Sequence, residues 1–247
     1  MIPMQKETEK WYSSWFDSPY YHILYKDRDD SEAAHFMKNL TSYLKLPPKA
    51  EILDLACGRG RHSKTLHNLK YNVTGIDLST SNIDFAKQYE EKGLTFKVHN
   101  MCIPLNKKFD AVFNLFTSFG YFENEKDNQT TINAIIKQLK PKANGVIDFL
   151  NIDFVKDNLV KDEIKIVNGI SFNLKREIVD GYILKHINFK DNGQTYSFVE
   201  KVKALTKQDF LIYLTNAGAK NIEVFGDYHL NEYNKQNSER LILIFKR

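Results

Sequence analysis

A pair of glycines behind an apolar run is the first feature of the chain that could do chemistry. The segment ILDLACGRGRHS, residues 52–63, passes from strand-like residues into Gly58 and Gly60 and then into a predicted helix. Glycines let the backbone approach a ligand closely, and the first turn of a helix offers free amide groups. The segment therefore predicts a nucleotide-binding turn.

Two carboxylates indicate which nucleotide the turn would hold. Asp54 stands before the glycines, and Asp77 lies about 20 residues further on, where nucleotide-binding folds place the acid that meets the ribose. A carboxylate at Asp54 would repel a pyrophosphate and favour an ammonium and a sulfonium, the groups of S-adenosylmethionine. Ser63 replaces the third glycine of a nicotinamide-dinucleotide fingerprint, which disfavours an oxidoreductase. A role for Asp54 in only capping the turn stays open.

Alternating strands and helices must position these residues. Apolar periodicity predicts two helical pieces over residues 7–46, ended by Pro47-Pro48, and then an alternation of β and α segments. This alternation predicts a mostly parallel sheet with helices on both faces. The predicted strands are 51–56, 72–77, 94–98, 109–116 and 143–150, and the predicted helices are 61–69, 80–92 and 125–139.

The alternation is interrupted after residue 160. Asn168-Gly169, Asp180-Gly181 and Asn192-Gly193 separate β-rich runs, which predicts hairpin turns and an antiparallel meander over 162–205. A capping box from Thr206 to Asp209 then opens a helix that closes at Gly218, followed by strands near 219–226 and 239–246. The predicted organisation is an N-terminal helical lid segment (1–46), a core (47–160 and 206–247) and an inserted antiparallel β subdomain (161–205).

These motifs together resemble the class I S-adenosylmethionine-dependent methyltransferases. The resemblance rests on 54–60, on Gly75–Ser79, on the loop 99–104, and on 109–116 with the following TSFGYF, and it spans roughly half the chain in the family's order. It implies a Rossmann-like seven-stranded, mostly parallel sheet, with the meander as an insertion. It also implies S-adenosyl-L-methionine as the cofactor.

The resemblance assigns cofactor roles to individual positions. Asp54 would support the ammonium and Asp77 would accept both ribose hydroxyls, while Asn100 would meet the adenine amine. Ala56 stands where the fullest motif has glycine, and we expect it to need only an ordinary backbone conformation. The remaining implied contacts are the backbone wall of Ala56, Gly58 and Gly60 around the methionine part, Leu78 and Met101 on either side of the adenine, and the backbone carbonyl of Phe116.

The acceptor side is expected in the aromatic segment WYSSWFDSPYYHILY, residues 11–25. Trp11 and Trp15 are predicted to pack the lid helices onto the core. Tyr20, Tyr21 and His22 follow a turn-like break and are expected to face the pocket, with Phe119 and Tyr121 on its other side. His22, assisted by Tyr21, is the first choice for a general base because imidazole titrates near neutral pH. An ordinary hydrogen-bonded histidine is the open alternative.

Composition narrows the acceptor class. The 35 basic and 31 acidic residues give a net charge of +4 without a basic run, so no nucleic acid is expected. Cys57 and Cys102 are the only cysteines, which predicts neither a metal nor a disulfide. No long apolar stretch or signal-peptide plan occurs, so we expect a cytoplasmic protein without membrane contact.

The favoured function is methyl transfer to an unidentified small molecule, and the alternative is a non-catalytic S-adenosylmethionine-binding or sensor protein. The sequence leaves the oligomeric state open.

Overall fold

The computed structural model of the 247-residue chain describes residues 11–26, 30–122 and 124–247. The expected lid residues 1–10 lie outside this described part. The chain divides into two compact units. The smaller unit contains the described residues up to 26 together with Val160–Val202, and the larger unit contains those from 30 to 159 together with Lys203–Arg247.

A seven-stranded sheet forms the centre of the larger unit. Numbered along the whole chain, its strands are β1 (Glu51–Leu55), β2 (Asn72–Asp77), β3 (Leu94–Val98), β4 (Phe109–Asn114), β5 (Leu139–Leu150), β10 (Lys220–Phe225) and β11 (Arg240–Lys246). They run in the order β10-β11-β5-β4-β1-β2-β3, and only β11 runs in the direction opposite to the other six. This arrangement confirms the predicted Rossmann-like, mostly parallel sheet.

Helices cover both faces of this sheet because alternate strand residues point to opposite sides. The helices are α3 (Asp30–Tyr43), α4 (Arg61–Asn68), α5 (Thr80–Ala86), α6 (Glu125–Gln138), α7 (Ile152–Asn158) and α8 (Lys207–Asn216). On one face, Phe36 of α3, Leu66 of α4 and Ile83 of α5 share an apolar cluster with strand residues such as Val73. On the other face, α8 packs through Phe210, whose ring centroid lies 5.2 Å from that of Phe149 in β5.

Several predicted boundaries move in the structure. The helix predicted for 80–92 ends at Ala86 and continues as one 3-10 turn, Lys87–Tyr89. It stops there because Glu90 turns back, its side chain accepting the Phe96 N–H at 2.7 Å. The helix α7 was not predicted; the side chain of Asn151 caps it by accepting the Asp153 N–H. The capping box at the start of α8 is present as predicted.

The N-terminal segment differs from the expected single lid of two helices. It contains three described helices, of which α1 (Trp11–Phe16) and α2 (Pro19–Leu24) belong to the smaller unit. The third, α3, belongs to the larger unit because its buried residues Phe36, Met37 and Leu40 pack on the central sheet. Residues 30–43 are therefore part of the core.

The smaller unit joins α1 and α2 to an antiparallel sheet. Its strands are β6 (Asp162–Val167), β7 (Ile170–Val179), β8 (Tyr182–Asp191) and β9 (Gln194–Lys203), in that order across the sheet. Each of the three predicted Asn-Gly and Asp-Gly turns has two consecutive residues at positive φ, as type I′ hairpins require. The predicted meander is therefore confirmed.

Aromatic side chains pack the two short helices on this antiparallel sheet. Trp15 is fully buried, its ring centroid lies 4.7 Å from that of Phe198, and its Nε1 donates to Glu200 at 2.7 Å. The expectation that Trp15 packs a lid on the α/β core stays a prediction. The side chain of Trp11 lies outside the described residues. No helix in the described part of the chain is long and apolar enough to cross a membrane.

Candidate functional site

The carboxyl ends of β1, β2 and β4 gather the predicted cofactor residues at one edge of the central sheet. Open α/β sheets bind ligands at this edge, because the loops that follow the parallel strands all begin there. The β10–β11 connection reaches the same edge, since β10 runs parallel to β5 through their shared antiparallel neighbour β11. The site is therefore built from loops that are distant in sequence.

Asp54 lies beneath the glycine turn and is almost completely buried. Its Oδ2 accepts the hydroxyl of Ser63 at 2.6 Å. Burial raises the pKa of Asp54 to about 7; the bond from Ser63 opposes this rise and the nearby Asp77 adds to it. Ser63, which departs from a dinucleotide fingerprint, thus has a definite partner. A carboxyl group with this pKa would lose its proton and become negatively charged when a cation binds beside it.

The glycine turn is held to β2 by a hydrogen bond. The Gly58 N–H donates to Asp77 Oδ2 at 2.9 Å, and the Ser79 N–H donates to Asp77 Oδ1 at 2.8 Å. Gly58 and Gly60 both have positive φ. A Cβ on Gly60 would lie 2.6 Å from the ring of Phe96, whereas a Cβ on Gly58 would meet nothing within 4 Å. The two glycines therefore serve different purposes: close packing at Gly60 and an open approach at Gly58.

Ala56 corrects one expectation. Its φ is 57°, in the left-handed region, and not in the ordinary conformation that we expected for an alanine. For a residue with a Cβ this conformation costs about 1–2 kcal/mol. Its neighbour Cys57 donates its N–H to the Ile76 carbonyl at 3.0 Å, which anchors the turn to β2. Ala56 thus keeps the left-handed conformation that a glycine would adopt at this position, and its backbone is strained as a result.

Apolar side chains are exposed beside Asp77. Leu78, Val98 and Ile103 are 49%, 46% and 55% exposed, and they follow or end the neighbouring strands β2 and β3. Met101 lies in the same loop as Ile103, and its Sδ is 3.9 Å from Nδ2 of Asn114. The side-chain oxygen of Asn100 accepts the Cys102 N–H at 2.9 Å and so shapes this loop. These apolar side chains form an exposed surface, and the side-chain amides of Asn100 and Asn114 lie near it.

Phe116 follows β4 at the same edge. Its ring stacks on His62 of α4, with ring centroids 4.1 Å apart. Phe116 and Thr117 have φ values of 55° and 60°, two consecutive left-handed residues without a glycine. The side chain of Asp148 accepts the Phe116 N–H at 2.7 Å, and the Asp148 carbonyl accepts the Thr117 N–H at 3.0 Å. A strained turn is therefore fixed by β5.

An ion pair reinforces this turn from β11. Arg240 Nε donates to Asp148 Oδ1 at 2.8 Å, and Arg240 Nη2 donates to Thr117 Oγ1 at 2.9 Å. Asp148 is fully buried; burial raises its pKa, while Arg240 and the Phe116 N–H oppose that rise. Burial and the Asp148 carboxylate also raise the pKa of Tyr228, whose hydroxyl lies 3.4 Å from Asp148 Oδ2. Sequence reasoning missed all three of these residues.

Two histidines outside the recognised motifs also lie at this edge. The β10–β11 connection places His229 against α3, where its Nδ1 is 3.3 Å from Nε2 of His35. The adjacent Tyr228 stacks on Phe36 with ring centroids 4.5 Å apart, and its centroid is 5.5 Å from that of Phe116. Neither histidine belongs to a motif, so no signal in the sequence singles them out.

The predicted acceptor residues divide between the two units. In the larger unit Phe119 is fully buried, with its ring centroid 5.4 Å from that of Phe210, so it is a core side chain in this structure. Tyr121 is half-buried and donates its hydroxyl to the Thr117 carbonyl at 2.7 Å. Tyr121 therefore borders the strained turn, whereas Phe119 supports it from within.

Tyr20, Tyr21 and His22 lie on α2 of the smaller unit, and all three are half-buried. Tyr20 donates its hydroxyl to Asp191 at 2.9 Å, and hydrogen bonding to Tyr196, burial and Asp191 raise its pKa above the usual value. The rings of Tyr21 and His22 are in edge contact, 5.2 Å between centroids. Within the described residues no cluster of three or more His, Cys, Asp or Glu side chains could hold a metal ion.

Known proteins resemble this chain over the same segment. Residues 52–142 match a family described as methyltransferase domain. The putative methyltransferase YqeM of Bacillus subtilis strain 168 is 35% identical over 102 residues, which cover 40% of this chain and 41% of that protein. A ubiquinone biosynthesis O-methyltransferase of Rickettsia canadensis is 30% identical over 121 residues, covering 47% and 50%. The chain thus aligns with half or less of the length of these curated relatives.

Solved structures match over a longer range. A S-adenosylmethionine-dependent methyltransferase from Clostridium acetobutylicum has a TM-score of 0.76 at 21% identity, covering 92% of this chain and 95% of that one. The CcbJ methyltransferase from Streptomyces caelestis also has a TM-score of 0.76, at 14% identity, covering 94% and 97%. At these identities the likeness concerns the fold.

The fold is the Rossmann-like fold of the class I type, with a glycine turn at the carboxyl edge of its sheet. Residues 52–142 match the methyltransferase domain family, and the fold is shared with S-adenosylmethionine-dependent methyltransferases, which supports the class I resemblance that the motifs predicted. The cofactor of this class is S-adenosyl-L-methionine.

The two glycines of the turn should respond differently to one added methyl group. We expect Gly58→Ala to lower the free energy of unfolding by about 1–2 kcal/mol, the cost of a left-handed alanine. Gly60→Ala should cost about 1–3 kcal/mol more, because its methyl group overpacks against Phe96. Urea unfolding of both variants without ligand measures the difference. Equal losses would contradict the packing role of Gly60.

Proposed function

We propose that this protein transfers a methyl group from S-adenosylmethionine to a small-molecule acceptor. The observation that carries the proposal is the Asp77 carboxylate, which holds the open glycine turn through the Gly58 N–H and stands beside exposed apolar side chains. This arrangement offers an acid for a ribose, an apolar surface for a purine and an approachable backbone for an amino-acid part. The nearly buried Asp54 adds a site for an ammonium group.

The residues present fit the cofactor of the family in both shape and charge. Leu78 and Met101 would enclose the adenine and Asn100 would lie at its edge, while Asp77 would accept the ribose hydroxyls. The backbone of Ala56, Gly58 and Gly60 and the carbonyl of Phe116 would border the methionine part, with Asp54 at its ammonium. When bound, the cofactor supplies an electrophilic methyl group on a sulfonium. The protein then contributes placement, and orientation alone is worth about 7–11 kcal/mol.

A small acceptor is favoured by the charge distribution and by the names of the relatives. The net charge of +4 is small for a protein that binds a polyanion. Similar proteins include a ubiquinone biosynthesis O-methyltransferase and, in fold, the sugar N-methyltransferase KedS8. Phenols and amino sugars are therefore the first acceptors to screen.

We further propose that α2 supplies acceptor-side groups, with Tyr20 and Tyr21 as contacts and His22 as the general base. Tyr121, whose hydroxyl donates to the Thr117 carbonyl, is the proposed acceptor contact of the larger unit by itself. Phe119 supports that segment from the core. A general base contributes typically about 10² to 10⁴ in rate when the nucleophile must lose a proton.

The cofactor proposal is tested by titration. We expect calorimetry to detect binding of S-adenosylmethionine and its demethylated product but not of nicotinamide dinucleotides. Asp77→Ala should weaken cofactor binding at least about tenfold, because two ribose hydroxyls lose a charged acceptor worth about 1.5–3 kcal/mol per bond. Asp84→Ala, on the exposed side of α5, is the matched control. Tighter binding of a nicotinamide cofactor would overturn the proposal, and binding without turnover on any acceptor would favour the sensor alternative.

The raised pKa of Asp54 predicts a pH dependence. The folded chain retains this proton up to about pH 7, whereas an ordinary Asp loses it near 3.8, so the Asp54 contribution to stability falls as pH rises between those values. Asp54→Asn should remove that slope. Because a cation favours the ionised carboxylate, cofactor affinity should increase as pH rises from about 5.5 to 7.5, with release of a proton.

Two measurements check this prediction: urea unfolding across the pH range, and calorimetry in two buffers of different ionisation enthalpy. The Asp77 and Ser63 side chains also face Asp54, so both experiments include Ser63→Ala, which should raise the Asp54 pKa further by removing the opposing hydrogen bond. An affinity that does not change with pH would mean that Asp54 does not meet the ammonium.

The acceptor-side residues should separate binding from turnover. Tyr21→Phe and His22→Ala should leave cofactor affinity within a few-fold yet reduce turnover by on the order of 10². His186→Ala is the matched control, because His186 lies in the same unit and pairs with Glu177 at 3.0 Å. If His22→Ala turns over at the wild-type rate, His22 is not the base, and His229 at the carboxyl edge of the central sheet becomes the next candidate.

A further inference from the structure

The turn after β4 has a backbone that its own residues do not favour. Phe116 and Thr117 both adopt left-handed conformations, at φ 55° and 60°. A left-handed conformation is rare for bulky residues and a clear outlier for a β-branched one such as Thr117. Such strain persists only where the surroundings impose it, and it concentrates at functional sites.

Neighbouring strands impose this conformation through three hydrogen bonds to the turn. Asp148 of β5 receives both amides of the turn, the Phe116 N–H on its side chain and the Thr117 N–H on its carbonyl. Arg240 of β11 spans from the Asp148 carboxylate to the Thr117 hydroxyl. The turn is thus held at its backbone and at one side chain by Asp148 and Arg240.

The guanidinium group suits this task because its donors are fixed in a plane. Nε and Nη2 of Arg240 both reach Asp148 Oδ1, at 2.8 and 2.7 Å, while Nη2 also reaches Thr117 at 2.9 Å. A lysine ammonium is a single point and cannot reproduce these separate contacts. A buried ion pair adds little net stability compared with apolar side chains of similar volume. The main contribution of the Asp148–Arg240 pair is therefore to fix the position of the Phe116–Thr117 turn.

We propose that Asp148 and Arg240 are positioning residues for methyl transfer, which act by holding the Phe116–Thr117 turn against the cofactor. This inference rests on the proposed function, in which the Phe116 carbonyl borders the methionine part. Without the pair, the turn would relax toward the favoured extended region and carry that carbonyl and the His62–Phe116 stack with it. Neither residue touches the reacting atoms.

Arg240→Lys tests the proposal with the charge pair kept. We expect the Kd for S-adenosylmethionine and for its demethylated product to increase at least about tenfold, equivalent to about 1.4 kcal/mol. Arg247→Lys is the matched control, since Arg247 donates to the Leu139 carbonyl at 2.6 Å at the opposite end of the sheet. The melting temperatures of the two variants should agree within a few degrees, so that lost affinity is not lost folding.

A second pair of variants removes only the hydroxyl contact. Thr117→Val keeps the shape of the side chain but deletes the acceptor of Arg240, and we expect the cofactor Kd to increase about threefold or more. Thr117→Ser restores the acceptor and should recover most of that affinity. A role that rested on the Thr117 methyl group alone would not produce this rescue, and equal melting temperatures of the two variants would separate positioning from stability.

The outcomes separate this inference from the proposed function. A wild-type protein that fails to bind S-adenosylmethionine would overturn both. Wild-type binding with unchanged affinity in Arg240→Lys and Thr117→Val would overturn the positioning role alone. Affinity lost equally in Thr117→Val and Thr117→Ser would also count against it, because the hydroxyl would then be irrelevant.

Discussion

The hydrogen bond from the Gly58 amide to the Asp77 carboxylate joins the ends of two adjacent parallel strands, and the proposed cofactor side of the site depends on it. It fixes the glycine turn without a side chain in the way, so the turn stays open to a ligand. The same carboxylate also receives the Ser79 N–H, which starts α5 close to the end of β2. One acidic side chain thus sets the relative placement of a turn, a strand and a helix. The proposed ribose contact would use an anchor that already exists.

Local chemistry explains how much could be read from the sequence. The three hairpin turns, the capping box of Thr206 and Asp209, and the strand–turn–helix around Gly58 each depend on residues a few positions apart. Turn residues, caps and apolar periodicity are short-range signals, and a parallel sheet follows from their alternation. The carboxyl edge then brings Asp54 and Asp77 together, whatever the rest of the chain does. The family and its cofactor were predictable for this reason.

Long-range contacts explain what could not be read. Asp148 and Arg240 are 92 residues apart, and neither belongs to a motif; their pairing depends on β11 inserting antiparallel beside β5. The left-handed backbone of Ala56 could not be inferred either, because the residue type argues against it and only the anchoring of Cys57 to β2 imposes it. Helical periodicity predicted that α3 is a helix. It could not predict which unit the apolar face of α3 packs against.

This difference between short-range and long-range signals separates the two halves of the site. The proposed cofactor half consists of backbone, glycines and two carboxylates, all placed by consecutive β–α units. Long-range contacts instead bring the turn at Phe116 to the connection that carries Tyr228, through a ring contact between these two residues. The ion pair of Asp148 and Arg240 ties the Phe116–Thr117 turn to the proposed cofactor half, whereas the side chain proposed to meet the acceptor from the larger unit, Tyr121, belongs to no short-range motif. A fold arranged in this way specifies its cofactor far more closely than its acceptor.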